Sequence, residues 1–160
     1  MKLFIFGAQC AGKTTIVRSL ATKTHLPIIE MDDEIMRLSG GSWPKDLKYK
    51  EEKLDPQVYH MVENMGDVIF FENHMSIKQT RKFKEAGFSV LLIEVTREEL
   101  LRRNEQRVRE EMYDDASKWI ELQLENIIQL KKNHLIDLTL NGEQPVDRVV
   151  QELLEVTEQK

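Results

Sequence analysis

Apolar residues in this chain fall into short unbroken runs, separated by longer stretches in which they recur every three or four positions. The runs cover residues 3–6, 27–30, 68–71, 90–95 and 136–140. Each has strand length, and runs without polar alternation belong to strands buried on both faces. Between them, residues 13–23, 76–86, 114–132 and 145–159 carry the helical period, with Gly87 ending the second and Pro145 suited to the first turn of the last. Strands alternating with helices predict a three-layer α/β/α fold around a five-stranded parallel sheet. Two stretches break the alternation. Residues 37–56 contain Gly40-Gly41-Ser42-Trp43-Pro44, and residues 97–115 are dense in charge, so both are read as flaps beside a site.

Composition narrows the picture. A chain of 160 residues, 41% of them hydrophobic, is expected to form one domain over 1–160 with a single core. Its 23 Lys and Arg against 28 Asp and Glu give a net charge of −5, which argues against nucleic acid as a partner. The one cysteine, Cys10, excludes an intramolecular disulfide and a multi-cysteine zinc site, and fits a reducing cytoplasm. No apolar run approaches the roughly 18 residues of a membrane span. The first run stops at Gly7 and reads as a buried strand rather than a leader.

The strongest chemical signal follows that strand. Gly7-Ala8-Gln9-Cys10-Ala11-Gly12-Lys13-Thr14 matches G-x-x-x-x-G-K-[ST], between an apolar strand and a helix as the motif requires. Glycines 7 and 12 allow successive backbone N–H groups to turn toward phosphate oxygens, and the helix adds the positive end of its dipole. Lys13 is expected on the β- and γ-phosphates, Thr14 on Mg²⁺ and Thr15 on the α-phosphate. Cys10 is expected to serve as a spacer that contributes its backbone.

With this loop in place, the chain resembles the small P-loop kinases, the nucleoside monophosphate kinase and shikimate kinase group and their relatives that phosphorylate sugars or antibiotics. The resemblance implies the strand order 2-3-1-4-5. Glu30-Met31-Asp32-Asp33-Glu34-Ile35 is similar to the D-x-D-x-E-I stretch of shikimate kinases, which implies that Asp32 binds and orients the acceptor or takes its proton. Arg37 stands where monophosphate kinases grip the acceptor phosphate, and Glu72 where the Mg²⁺-supporting acid ends the third strand. Either Glu30 or Glu72 supports the metal. The G-F-P-R stretch of adenylate-type kinases is replaced by Asn73-His74-Met75-Ser76, which counts against a monophosphate acceptor. Arg103 and Arg107 match the R-x-x-x-R of the family's lid, on one helix face and able to close over a triphosphate. Asn141-Gly142 falls where the adenine pocket is lined.

The resulting expectation is an ATP- and Mg²⁺-dependent transfer of the γ-phosphoryl group to a small-molecule acceptor, a hydroxyl being favoured over a nucleoside monophosphate. A nucleotide-binding ATPase or switch is the alternative. The oligomeric state and the choice between ATP and GTP are not legible in the residues.

Overall fold

A computed structural model describes residues 1–158. The chain runs through β1 (Lys2–Phe6), α1 (Lys13–Leu20), β2 (Ile28–Glu30) and α2 (Met31–Leu38), then a short α3 (Leu47–Tyr49) that continues through a π-helical turn, Lys50–Leu54, into α4 (Asp55–Glu63). It continues with β3 (Val68–Glu72), α5 (Ile77–Glu85), β4 (Phe88–Glu94), α6 (Arg97–Glu111), α7 (Ser117–Lys132), β5 (Leu138–Asn141) and α8 (Val146–Glu158). All four strand pairings are parallel, in the order β2-β3-β1-β4-β5, as expected. The register sets Phe6 beside Glu72 on one side and Leu92 on the other, with Glu30 beside Phe71. The carboxyl ends of β2, β3 and β1 therefore open on one crevice, at the point where the crossovers leaving the neighbouring strands β1 and β3 run in opposite directions, to β2 and to β4. That is where open α/β sheets bind ligands.

The core forms because β1 and β3 are apolar on both faces: Leu3, Phe4, Ile5 and Phe6, and Val68, Ile69 and Phe70, are fully buried. On one side Phe83 of α5 fills an aromatic cluster, edge-on to Phe4 at 5.7 Å and Tyr59 at 5.8 Å, and stacked on Phe88 at 4.5 Å. Tyr59 reaches this cluster from α4, so the same packing that seats α5 also fixes the helix flanking the crevice. No helix among the described residues is long and apolar enough to cross a membrane.

Local chemistry explains where the elements depart from the apolar pattern. α7 starts at Ser117 rather than at 114, because the Asp115 carboxylate accepts from the Ser117 N–H and hydroxyl, both at 2.9 Å. β5 starts at Leu138 because the Asp137 carboxylate accepts the Val90 N–H at 2.8 Å and takes the ladder position itself. α1 ends at Leu20, whose carbonyl accepts from Lys23 and Thr24 in a closing turn. The pattern carried α8 to Gln159, which lies outside the described residues. The two interrupted stretches are largely helical. In the first, residues 39–46 are irregular; in the second, residues 97–111 form one continuous helix capped by Thr96, with Glu98 and Glu99 in the first turn, and only 112–116 are irregular.

Truncating Phe83 to Ala should cost about 3–5 kcal/mol in denaturant unfolding, through lost transfer energy and the cavity left among four aromatic neighbours. Trp119, half exposed on α7, provides the contrast: Trp119→Ala should change stability by about 0.5 kcal/mol or less.

Candidate active site

The turn out of β1 is forced by crowding. A Cβ on Gly7 would lie 2.8 Å from the Ile93 carbonyl oxygen, so β4 leaves room for glycine only. Gly12 adopts φ +89°, and Cys10 takes a left-handed φ of 70° that few side chains accept. The loop is anchored from far along the chain, since the Gln9 N–H donates to Gln123 Oε1 of α7 at 2.7 Å. Gly12 offers no side-chain cap to α1. The first N–H groups of α1 therefore point into the cleft without an intrahelical partner. Lys13 folds over this cradle, donating to the carbonyls of Gly7 at 2.6 Å and Ala8 at 3.0 Å. Burial pulls its ammonium from 10.5 down to about 8, against the opposing pull of Asp32, Glu30 and Glu72.

The carboxylates stand across the cleft. Residues 9–15, Glu30, Asp32, Glu72, Arg103 and Arg107 line one cavity of about 600 Å³; Gly7 and Ala8 do not line it and meet the site only through their carbonyls, which accept from Lys13. Asp32, in the first turn of α2, stays open to solvent yet is hemmed in enough that desolvation raises its carboxyl, while Lys13 and Lys50 draw it back. Glu30 is raised by burial and by Asp33 and Asp32 nearby. Glu72 is buried at the end of β3, and burial holds its carboxyl well above the ordinary value although the Tyr59 hydroxyl donates to it at 3.0 and 3.2 Å. Arg37 is left out of this gathering. It is exposed on α2, its guanidinium 2.7 Å from Glu34.

Arg103 and Arg107 lie one turn apart on α6 and face the loop. The Arg103 guanidinium donates to the Cys10 carbonyl at 3.2 Å and the Gly142 carbonyl at 3.3 Å, while its Nε holds Glu99 at 2.7 Å. Hydrogen bonds from Arg102 and Arg103 hold the Glu99 carboxyl down at about 2. Arg107 reaches Cys10 Sγ at 3.5 Å and lies 4.0 Å over the Tyr113 ring. The buried Asn104 between them secures the helix: its amide donates to Asp115 at 2.7 Å and accepts from the Ala116 N–H at 2.9 Å.

Residues 3–134 match the family model described as AAA domain, and this span is most of the chain. The chain belongs to the AAA domain family. Among relatives of this AAA domain protein, shikimate kinase of Aquifex aeolicus (strain VF5) is 22% identical over 171 aligned positions, covering 96% of this chain and 94% of the relative. The crystal structure of shikimate kinase from Aquifex aeolicus vf5 superposes with a TM-score of 0.73 at 20% identity, covering 99% of this chain and 96% of that one. A gluconokinase from Sinorhizobium meliloti 1021 gives 0.68 at 16% identity, covering 96% and 89%. With family, fold and phosphate loop in agreement, this AAA domain protein is a small P-loop kinase of the shikimate kinase-like group.

Several contributors carried no motif. Gln123 was visible only as a polar residue interrupting the buried stripe Ile120, Ile127 and Leu130 of α7. Tyr59, Lys50 and Asp55 left no signal, because their roles come from the packing of α4 and the π-helical turn. The Nε2 of Gln144, buried without a hydrogen-bond partner in the wall near Gly142, suits a nucleobase acceptor atom. The oxygen donors Thr14, Glu30, Asp32 and Glu72 suit Mg²⁺ by hardness. Among the described residues no three His, Cys, Asp or Glu side chains converge to hold a metal unaided.

Gly7→Ala should weaken ATP binding by calorimetry and lower the melting temperature, because the Ile93 backbone cannot yield. Gly66→Ala, where a Cβ meets open space, should leave both unchanged.

Proposed function

We propose that this P-loop kinase transfers the γ-phosphoryl group of ATP to a hydroxyl group of a small molecule. The observation that carries the reading is the placement of Asp32 opposite Lys13 across one cleft, each within electrostatic reach of the other. Both named relatives, a shikimate kinase and a gluconokinase, take their names from polyhydroxylated acceptors.

The loop N–H groups and Lys13 hold the β- and γ-phosphates, and Thr14, with Glu30 or Glu72 behind it, would hold Mg²⁺. The ion, when bound, neutralises charge on the phosphate oxygens. Asp32 accepts a hydrogen bond from the acceptor hydroxyl and aims its oxygen at the γ-phosphorus. As the new O–P bond forms and the bond to the bridging oxygen of ADP breaks, the hydroxyl proton passes to Asp32. Desolvation favours this by raising the affinity of Asp32 for a proton. Arg103 and Arg107 stabilise the negative charge spread over the transferring group. Cys10 supplies backbone to the cradle and a sulfur contact to Arg107. Thr15 faces the α-phosphate, and Gly142 and Gln144 border the base. In this reading residues 37–56 act as the acceptor-side flap and residues 97–115 as the lid of one kinase domain.

Incubation with ATP, Mg²⁺ and hydroxyl compounds decides between phosphorylated product, as expected, and free phosphate alone, which would favour the ATPase or switch. Asp32→Asn should lower kcat on the order of 100-fold or more, through lost proton acceptance and orientation, whereas Arg37→Ala should leave the acceptor KM unchanged. A monophosphate acceptor would reverse this pair.

Arg107→Ala should lower kcat by a larger factor than it raises the KM for ATP, the signature of a contact strengthened in the transition state. Arg97, exposed and paired with Glu121, is the control, and Arg97→Ala should leave both constants in place.

A further inference from the structure

The acid that ends β3 is held by a group outside the cleft. Glu72 lines the cavity, and among the described residues Tyr59 is the one hydrogen-bond donor to its carboxyl, at 3.0 Å from Oε1 and 3.2 Å from Oε2. A single hydroxyl at nearly equal distance from both oxygens occupies the open end of the carboxyl, the place a cation takes when both oxygens chelate it. Tyr59 itself lines no part of the cavity. The chelating end of Glu72 is therefore turned away from the phosphate loop and toward α4, and only the side of the group faces the cleft.

Packing fixes this orientation. The Tyr59 ring lies edge-on to Phe70 at 6.4 Å and to Phe83 at 5.8 Å, so the hydroxyl cannot swing aside without leaving the aromatic cluster. Burial, and the charge of Glu72 beside it, push that hydroxyl well above its ordinary value, so it keeps its proton and donates. Glu72 is 8% exposed and its backbone is set in the sheet beside Phe6. Glu30 differs. It ends β2 half-buried, and among the described residues no donor holds its carboxyl, which is free to turn.

We propose that Tyr59 sets which divalent cation accompanies the nucleotide. By occupying the chelating end of Glu72, it confines this acid to contact through the ion's own water, which Mg²⁺ retains, and withholds the two-oxygen contact that Ca²⁺ takes from carboxylates. This rests on the kinase reading above and deepens it. Tyr59 is a positioning residue, since it acts through Glu72 from behind the cavity wall.

The test titrates Mg²⁺ and Ca²⁺ separately, by calorimetry, into an equimolar complex of the full chain with ADP. The unaltered chain should bind Mg²⁺ more tightly than Ca²⁺. Tyr59→Phe keeps the ring in its cluster and frees the carboxyl to rotate. Its affinity for Ca²⁺ relative to Mg²⁺ should rise on the order of tenfold, with its affinity for ADP without metal unchanged. A merely structural role for the hydroxyl would lower the melting temperature and weaken both ions alike. In a Glu72→Gln background Tyr59→Phe should not move the ratio, whereas in a Glu30→Gln background the shift should persist. A ratio unmoved in folded Tyr59→Phe, an equal shift in the Glu72→Gln background, or tighter binding of Ca²⁺ by the unaltered chain would overturn the proposal and leave the kinase reading intact. A second measurement does not depend on how the variant folds. Infrared difference spectra of the unaltered ADP complex on adding Ca²⁺, with the Glu72 bands assigned by their loss in Glu72→Gln, should lack the signature of a bidentate carboxylate, and its presence would equally sink the proposal. A chain that binds no ADP would bring down the kinase reading and the proposal together.

Discussion

The structure depends on one steric constraint, the absence of room beside Gly7. β1 is paired on both edges and packed on both faces, so the chain leaving its carboxyl end must turn at once, and the carbonyl of Ile93 on β4 stands where any side chain would go. The turn that satisfies it exposes a row of backbone donors, starts α1 at Lys13 and puts the lysine over its own loop carbonyls. An anion cradle follows directly from strand packing. Gln123 fastens the far side of this loop from α7, so the cradle is held by the sheet on one flank and by a distant helix on the other.

Charge is then distributed by which strand end each residue occupies. Glu30 and Glu72 close β2 and β3, and Asp32 opens α2, so three carboxyl groups face a lysine whose ammonium burial has weakened. Desolvation raises each carboxyl, and the lysine and the carboxylates moderate one another across the cleft. Opposed shifts on neighbouring groups in one cleft are the mark of a candidate site. Arg103 closes the circuit by tying the phosphate loop to the strand-end backbone at Gly142.

The same logic explains why a helix as charged as α6 is ordered. Its buried anchor is Asn104, which ties it to the start of α7, and its exposed face is laced by Glu99 with Arg102 and Arg103. Two arginines are thereby held at the loop while the rest of the helix remains solvated.

The sequence by itself determined the five strands, their parallel pairing, the phosphate loop and the shared helix face of Arg103 and Arg107. These are properties of short segments: unbroken apolar runs, a fixed glycine and lysine spacing, and a four-residue helical repeat, each set by chemistry within a few residues. Asp32 and Arg37 were both candidates at that level, five positions apart on one acidic segment, with Asp32 favoured by its match to the shikimate kinase stretch. Only the tertiary structure separated them, because the rotation of α2 on the sheet turns Asp32 to the cleft and leaves Arg37 with Glu34 in solvent. Tyr59 on Glu72, Gln123 on Gln9 and Lys50 on Asp55 were likewise decided by packing. The first two bring together residues 13 and 114 positions apart, and all three depend on the burial that turns an ordinary polar side chain into a fixed partner. Such contacts leave no periodic trace in the chain, since what selects them is the low-dielectric space that exists only after the helices have closed on the sheet.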